Sequence, residues 1–359
     1  MILPTFSFTG CVLEIRFFEA NEKKTIYITL HKILAMKYVG LQKQISSNTF
    51  KSILLLIGFP MILLLATYAG FYFLGGQKDS YGNVYHDIDV INANYIHYIP
   101  YVLIGTGIWF VIAFFGQSAM IKFASGSHTL ERKTNMRVYN LTENLCIGVG
   151  MKMPQLQIIE SNALNAFASG LTESNYTVTL TRGIIEALDD RELEGVIAHE
   201  LMHIRNKDVR LLVISLIFVG IFSLIIQLVF RNLIYGMMFS GNRKNDKDSG
   251  GGAAVIIVLV ISIVAYFLSL MFKLALSRKR EFMADAGAAQ MTKNPMALAS
   301  ALRKISGNSD VKNVKSDDVK EMFIDNPPKQ ESMGLMGGLG NLFSTHPPID
   351  KRIQVLEQI

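Results

Sequence analysis

Two histidines stand four residues apart in His199-Glu200-Leu201-Met202-His203, with a glutamate directly after the first. On an α-helix, positions i and i+4 stack on one face, so His199 and His203 can offer two imidazole nitrogens to one zinc ion. Glu200 is turned about 100° from His199, which lets it reach a water at the metal without being forced to ligate. The chemistry of such a set is hydrolysis: zinc acidifies water, and a carboxylate beside it carries the proton. Three fixed residues in five also arise by chance, and a helix can carry two histidines as polar surface residues. A second cluster decides between these readings. Glu281 and Asp285, in Arg280-Glu281-Phe282-Met283-Ala284-Asp285, are again four apart. Glu281 can supply the third protein ligand that a catalytic zinc requires, and Asp285 can accept the second N–H of a ligand histidine and fix its tautomer. Alone, this E-x-x-x-D pattern fits a solvated acidic face; beside H-E-x-x-H the ligand reading prevails. One zinc per chain is expected, on His199, His203 and Glu281. The other nearby carboxylates, Glu192, Glu194 and Asp208, are worse placed.

These side chains need a helix to hold them. Residues 190–208 provide one: Asp189 or Asp190 caps its start, and Glu192, three residues after Asp189, completes a capping box. Around it the chain reads as a membrane protein. Half of its 359 residues are hydrophobic, the mean hydropathy is +0.31, and 18% are charged, against roughly 25% in soluble domains. Apolar runs at 53–74, 99–121, 209–230 and 253–276 are long enough to span a bilayer. The fold class expected is a mainly α membrane protein: four transmembrane helices and an α+β catalytic domain assembled from two segments, 122–208 and 277–359. Residues 1–52 form an N-terminal extension and cytoplasmic segment. Residues 53–121 are a first transmembrane hairpin with an external loop, and 209–276 a second, with an exposed loop at 231–252. If the zinc helix continues into the third span, His203 lies about 9 Å from the bilayer. That height, with Arg278, Lys279 and Arg280 available to headgroups, favours substrates that are themselves membrane proteins. Strands are expected at 156–160 and 176–181 with Asn165-Ala166-Phe167-Ala168-Ser169-Gly170 between them, and helices at 183–188, 295–305 and 347–359. Residues 306–345, polar and then Gly- and Met-rich, read as a mobile loop, either a lid or a linker.

Charge sets the orientation. Lys and Arg number seven up to Ser52, one in 75–98, nine in 122–208, four in 231–252 and twelve in 277–359. The majority places both termini and the catalytic domain in the cytoplasm, on the inner membrane. The net charge of +6 comes without a basic run interleaved with aromatics, which excludes nucleic acid as a partner. Two cysteines, Cys11 and Cys146, form neither a metal spacing nor a disulfide framework and fit a reducing compartment.

H-E-L-M-H, E-F-M-A-D, N-A-F-A-S-G and Thr345-His346-Pro347-Pro348-Ile349-Asp350, in this order, make residues 36–359 resemble the HtpX-type membrane-bound zinc metalloproteases, relatives of the CAAX prenyl endopeptidases and zincin-like in fold. The resemblance starts at Met36, so residues 1–35 are expected to be a dispensable extension. It implies that Asn165 and His346 donate hydrogen bonds to the oxyanion of the transition state. By their residue types alone, Asn165 also fits a turn and His346 a helix cap. The resemblance further implies that an extended peptide adds as a strand beside N-A-F-A-S-G, and that the substrates are misfolded or membrane proteins under quality control. A prenyl-protein protease is the alternative within enzymes, against which the count of four spans speaks. A silent zinc-binding scaffold is the alternative outside them, and it has no use for Glu200. The topology is open to thiol labelling. With Cys11 and Cys146 removed, a single cysteine at Ser80 is expected to react with an impermeant reagent on intact cells and one at Ser174 is not; labelling at Ser174 reverses the orientation.

Overall fold

The computed structural model describes residues 5–8, 13–16, 41–78, 81, 84–239, 259–260, 262–264, 266, 279–311, 314, 319, 322–325 and 347–359. The chain divides into two units, Met1–Ser46 and Ser47–Ile359. The first contains an antiparallel hairpin of β1 (Thr5–Phe8) and β2 (Leu13–Arg16), with Phe6 opposite Ile15.

α1 (Leu41–Leu74) carries the first expected span and runs through Pro60. A short pair, β3 (Gln77–Lys78) and β4 (Val84–Tyr85), turns the chain. α2 (Ile88–Ser125) starts where Asp87 accepts from the backbone N–H groups of Asp89 and Val90, and ends at Gly126 in the left-handed region, φ 69°. Tyr95 ties the hairpin, its hydroxyl donating to the Leu64 carbonyl at 2.6 Å. Ile57, Leu65, Ile104, Ile108 and Phe115 are exposed on these helices. Ile45–Phe73 and Ile88–Ser125 are long and apolar enough to cross a membrane, and an outward apolar surface on such helices suits hydrocarbon.

Beyond this hairpin come β5 (His128–Thr129) and α3 (Met136–Val149), the helix capped by Asn135 at its start and by Gly150 at its end. β6 (Gln155–Ile159), β7 (Ala166–Ser169) and β8 (Thr177–Thr181) complete a sheet in the order β5-β6-β8-β7. β6 and β8 are parallel, Leu156 opposite Val178; β7 returns antiparallel, Phe167 opposite Thr179. N-A-F-A-S is therefore itself largely a strand, where the sequence suggests only a connection. Its Ala and Ser content carries little strand preference, and pairing with β8 decides.

α4 (Arg182–Ala187) follows, then α5 (Asp190–Arg205), which bears His199 and His203. The capping box forms as expected: Glu192 N–H donates to Asp189 at 2.9 Å, and Asp189 N–H to Glu192 at 3.0 Å. Leu193, Val196, Ile197 and Leu201 of α5 are fully buried, each contributing roughly 1.5–3 kcal/mol. α5 does not run on into the next helix. Asn206 and Lys207 break it, Lys207 adopting φ 60°, before α6 (Asp208–Phe239) begins. The continuous helix assumed from sequence is thus corrected, and so is the loop boundary at 231, since α6 extends to Phe239. Phe59 of α1 stacks on Phe218 of α6, ring centroids 4.1 Å apart.

α7 (Lys279–Thr292) carries Glu281 and Asp285; α8 (Pro295–Ile305) starts at its proline; α9 (Ile349–Leu356) is the last helix. Most of the fourth expected span lies outside the described residues. Within 306–345, residues 306–308 and Asp310 are exposed, while several of the other described residues are packed. Val311, Met322, Phe323 and Ile324 are buried, and Ile324 N–H donates to the Ala166 carbonyl of β7 at 2.9 Å.

One glycine fixes how the loop before β7 sits. Gly183 N–H donates to the Ser161 carbonyl at 2.9 Å, and a β-carbon at this position would lie 2.2 Å from the Asn162 carbonyl oxygen. Backbone cannot yield as a flexible side chain does, so Gly183→Ala is expected to destabilise by about 1–3 kcal/mol. A thermal melt in detergent measures this, and a wild-type melting temperature would reject the close approach.

Candidate metal centre

α5 and α7 pack together at the site. A β-carbon on Gly287 of α7 would lie 2.3 Å from the Met202 Cε of α5. His199 Nε2 and His203 Nε2 are 3.1 Å apart. Glu281 Oε2 lies 3.6 Å from the first and Oε1 3.6 Å from the second. Ligand atoms at about 2.0–2.2 Å from a tetrahedral ion are separated by about 3.3–3.5 Å, so the triangle of donors has the size zinc requires. Two nitrogens and one carboxylate also match the donor chemistry of a catalytic zinc site.

Each imidazole is held from its other nitrogen. His199 Nδ1 donates to Asp285 Oδ1 at 2.9 Å. His203 Nδ1 faces Asp208 Oδ2 at 3.3 Å. In an uninterrupted helix Asp208, five residues on, would be turned about 140° from His203. The break at Asn206–Lys207 is what brings it back. Asp208 therefore serves as partner to a histidine, a role that sequence reasoning, which weighed it only as a spare ligand, missed. Glu192, another spare, is occupied elsewhere: Ser300 Oγ and Lys304 Nζ both donate to it at 2.6 Å.

Arg352 of α9 was also missed. It is the largest fully buried side chain, and its guanidinium grips Asp285 with two bonds, Nε to Oδ2 at 2.8 Å and Nη2 to Oδ1 at 2.7 Å. Its Nη1 donates to the Ile324 carbonyl at 3.1 Å and lies 3.8 Å from Glu281 Oε2. The sequence did carry a signal. Ile349, Arg352, Ile353 and Leu356 form one helical stripe, and an arginine within an apolar stripe implies a buried anion.

Electrostatics follow the geometry. Burial would raise the Asp285 carboxyl, but Arg352 outweighs it and holds the group at about 2. Burial would lower His203, but Glu281 and Asp208 outweigh it and push the imidazole up to about 10. The same carboxylates favour a cation at this point, and zinc must displace that proton to bind. Glu200, 2% exposed, is raised by burial against the pull of His199 and His203, which suits a proton acceptor.

Asn165 sits at the start of β7, buried, with Nδ2 donating to the Ser309 carbonyl at 2.8 Å and the Asp325 carbonyl at 2.7 Å. His346 lies outside the described residues.

Helices long and apolar enough to cross a membrane and a His-His-Glu cluster with Glu200 beside it fit a membrane-associated zinc metallopeptidase. The family model of Peptidase family M48 matches residues 132–359, and the chain belongs to that family. It is 51% identical over 325 residues to a protease HtpX homolog of Bacteroides fragilis, covering 90% of this chain and all of the relative. It is 32% identical over 324 residues to one of Lactobacillus acidophilus, covering 89% of this chain and all of the relative. Among solved structures, Ste24p of S. mikatae aligns at a TM-score of 0.44 with 17% identity, covering 88% of this chain and 67% of that one.

Arg352 and Asp285 can be separated by mutation. Arg352→Met leaves a buried carboxylate without its cation and is expected to cost about 3–5 kcal/mol. Adding Asp285→Leu should restore most of the stability but not the affinity for zinc, because His199 has lost its partner. Melting temperature and zinc content, measured together, check both halves.

Proposed function

We propose that this chain is an endopeptidase that hydrolyses peptide bonds of misfolded or membrane proteins at the cytoplasmic face of the inner membrane, as part of protein quality control. In this reading both termini and the peptidase domain are cytoplasmic, and one zinc is held by His199, His203 and Glu281. The observation that carries it is the short path from the site to an apolar helix, read here as the third span: α5, with both histidines, is separated from α6 by Asn206 and Lys207 alone. Substrate segments leaving the bilayer are the ones such a site meets first.

Bound there, zinc supplies Lewis acidity, making water a nucleophile near neutral pH and polarising the scissile carbonyl. Glu200 takes the proton of the attacking water on its carboxylate and returns it to the leaving amine. Burial has already raised its affinity for that proton. Asp285 and Asp208 keep the two Nδ1 protons in place, which would leave both Nε2 lone pairs free to hold a metal. Asn165 and His346 are assigned to the oxyanion. For Asn165 this requires giving up one of its two carbonyl partners when substrate arrives.

Glu200→Gln should abolish zinc-dependent cleavage of casein while zinc content stays near that of the wild type; loss of the metal would mean that Glu200 is a ligand and not the base. Asn165→Ala, with zinc retained, should lower kcat and kcat/KM together by about 10²–10³. Near-normal kcat with a lower melting temperature would reduce Asn165 to a structural residue.

A further inference from the structure

The first membrane helix reaches the metal centre through one side chain. Asn48, in the N-terminal part of α1, is 3% exposed, and Ser52 Oγ donates to its carbonyl at 2.8 Å. Its Nδ2 donates twice, to the Asn206 carbonyl at 2.8 Å and to Asp208 Oδ1 at 2.7 Å, across 158 and 160 residues of sequence. The other oxygen of that carboxylate, Oδ2, faces His203 Nδ1 at 3.3 Å. The other charged group on Asp208 is Arg280, whose Nη1 is 3.9 Å from Oδ1. Asn48 thus holds both sides of the joint between α5 and α6, where Lys207 adopts a left-handed φ of 60°, a conformation that strains a residue with a β-carbon.

We infer that Asn48 is a positioning residue of the metal centre: through Asp208 it sets the orientation of His203, so that this one side-chain contact of the first membrane helix governs how tightly zinc is held. The inference rests on the reading of His203 as a zinc ligand. An amide fits the task better than a charge. A lysine here would draw the carboxylate away from the imidazole, and an aspartate would repel it. Without the amide, Asp208 loses a donor to Oδ1 and the joint loses its clamp, leaving His203 free to turn. Groups that orient a ligand from behind typically change metal affinity by about 10–100-fold when removed.

The test uses the full-length protein in detergent, loaded with zinc, and follows release of the metal to an excess of chelator. Asn48→Ala is expected to release zinc about 10–100-fold faster than wild type, and Asp208→Asn to do the same. The double variant should be no faster than the faster single one, because both act through one carboxylate. Phe59→Leu loosens the same helix against α6 without touching Asp208; it should lower the melting temperature and leave release unchanged. Wild-type release from Asn48→Ala, multiplied effects in the double variant, or equal acceleration by Phe59→Leu each overturn the inference. If Asn48→Ala does not fold, Asn48→Ser keeps a single donor and should still release zinc faster than wild type; wild-type release from it likewise overturns the inference. His203→Ala separates the two levels. Zinc retained in that variant sinks the ligand assignment, whereas zinc lost there with normal release from Asn48→Ala sinks the role of Asn48 alone.

Discussion

Two imidazole nitrogens 3.1 Å apart cannot both carry a proton and still face each other. For the Nε2 lone pairs of His199 and His203 to converge, each ring must keep its proton on Nδ1, and something must hold it there. Asp285 does this for one ring and Asp208 for the other. Both carboxylates are almost fully buried, so each in turn needs donors of its own. Arg352 supplies them to Asp285 and Asn48 to Asp208. The requirement at two atoms thus recruits α1, α5, α6, α7 and α9.

Such an arrangement is a poor way to gain stability. A buried ion pair often contributes no more than apolar residues of the same volume, because desolvation offsets the attraction. Asp285 and Arg352 are better understood as a device for direction. Bidentate pairing leaves the carboxylate one orientation, and its Oδ1 then fixes the ring plane of His199. Stability comes from elsewhere, from the apolar face of α5 against the sheet, α3, α7 and α8, with Phe167 meeting Phe323 edge to face at 5.1 Å.

Much of the centre could be read in the sequence because helical spacing is local arithmetic. His199 with His203, and Glu281 with Asp285, share a face by being four apart; the capping box and the proline at the start of α8 are equally local. The rest depends on contacts that no local rule supplies. Asp208 was misjudged because extrapolating one helix through Asn206 and Lys207 turns it the wrong way. β7 was missed because Ala and Ser form a strand only when a neighbour pairs with them, and α3 and β5 were passed over in a polar stretch. Asn48 precedes Asp208 by 160 residues, and nothing in its own surroundings marks it. Arg352 was legible in principle, as a charge in an apolar stripe, and was overlooked.

The place of Arg352 in the chain has a consequence for biosynthesis. It follows Asp285 by 67 residues. A ribosome adding about 5–20 residues per second needs about 3–13 s to cover that interval. During it, the helix bearing H-E-L-M-H has been made, α7 has been made, and the carboxylate behind His199 is still without its cation. Here the order of synthesis keeps the metal centre unfinished until α9 arrives with Arg352.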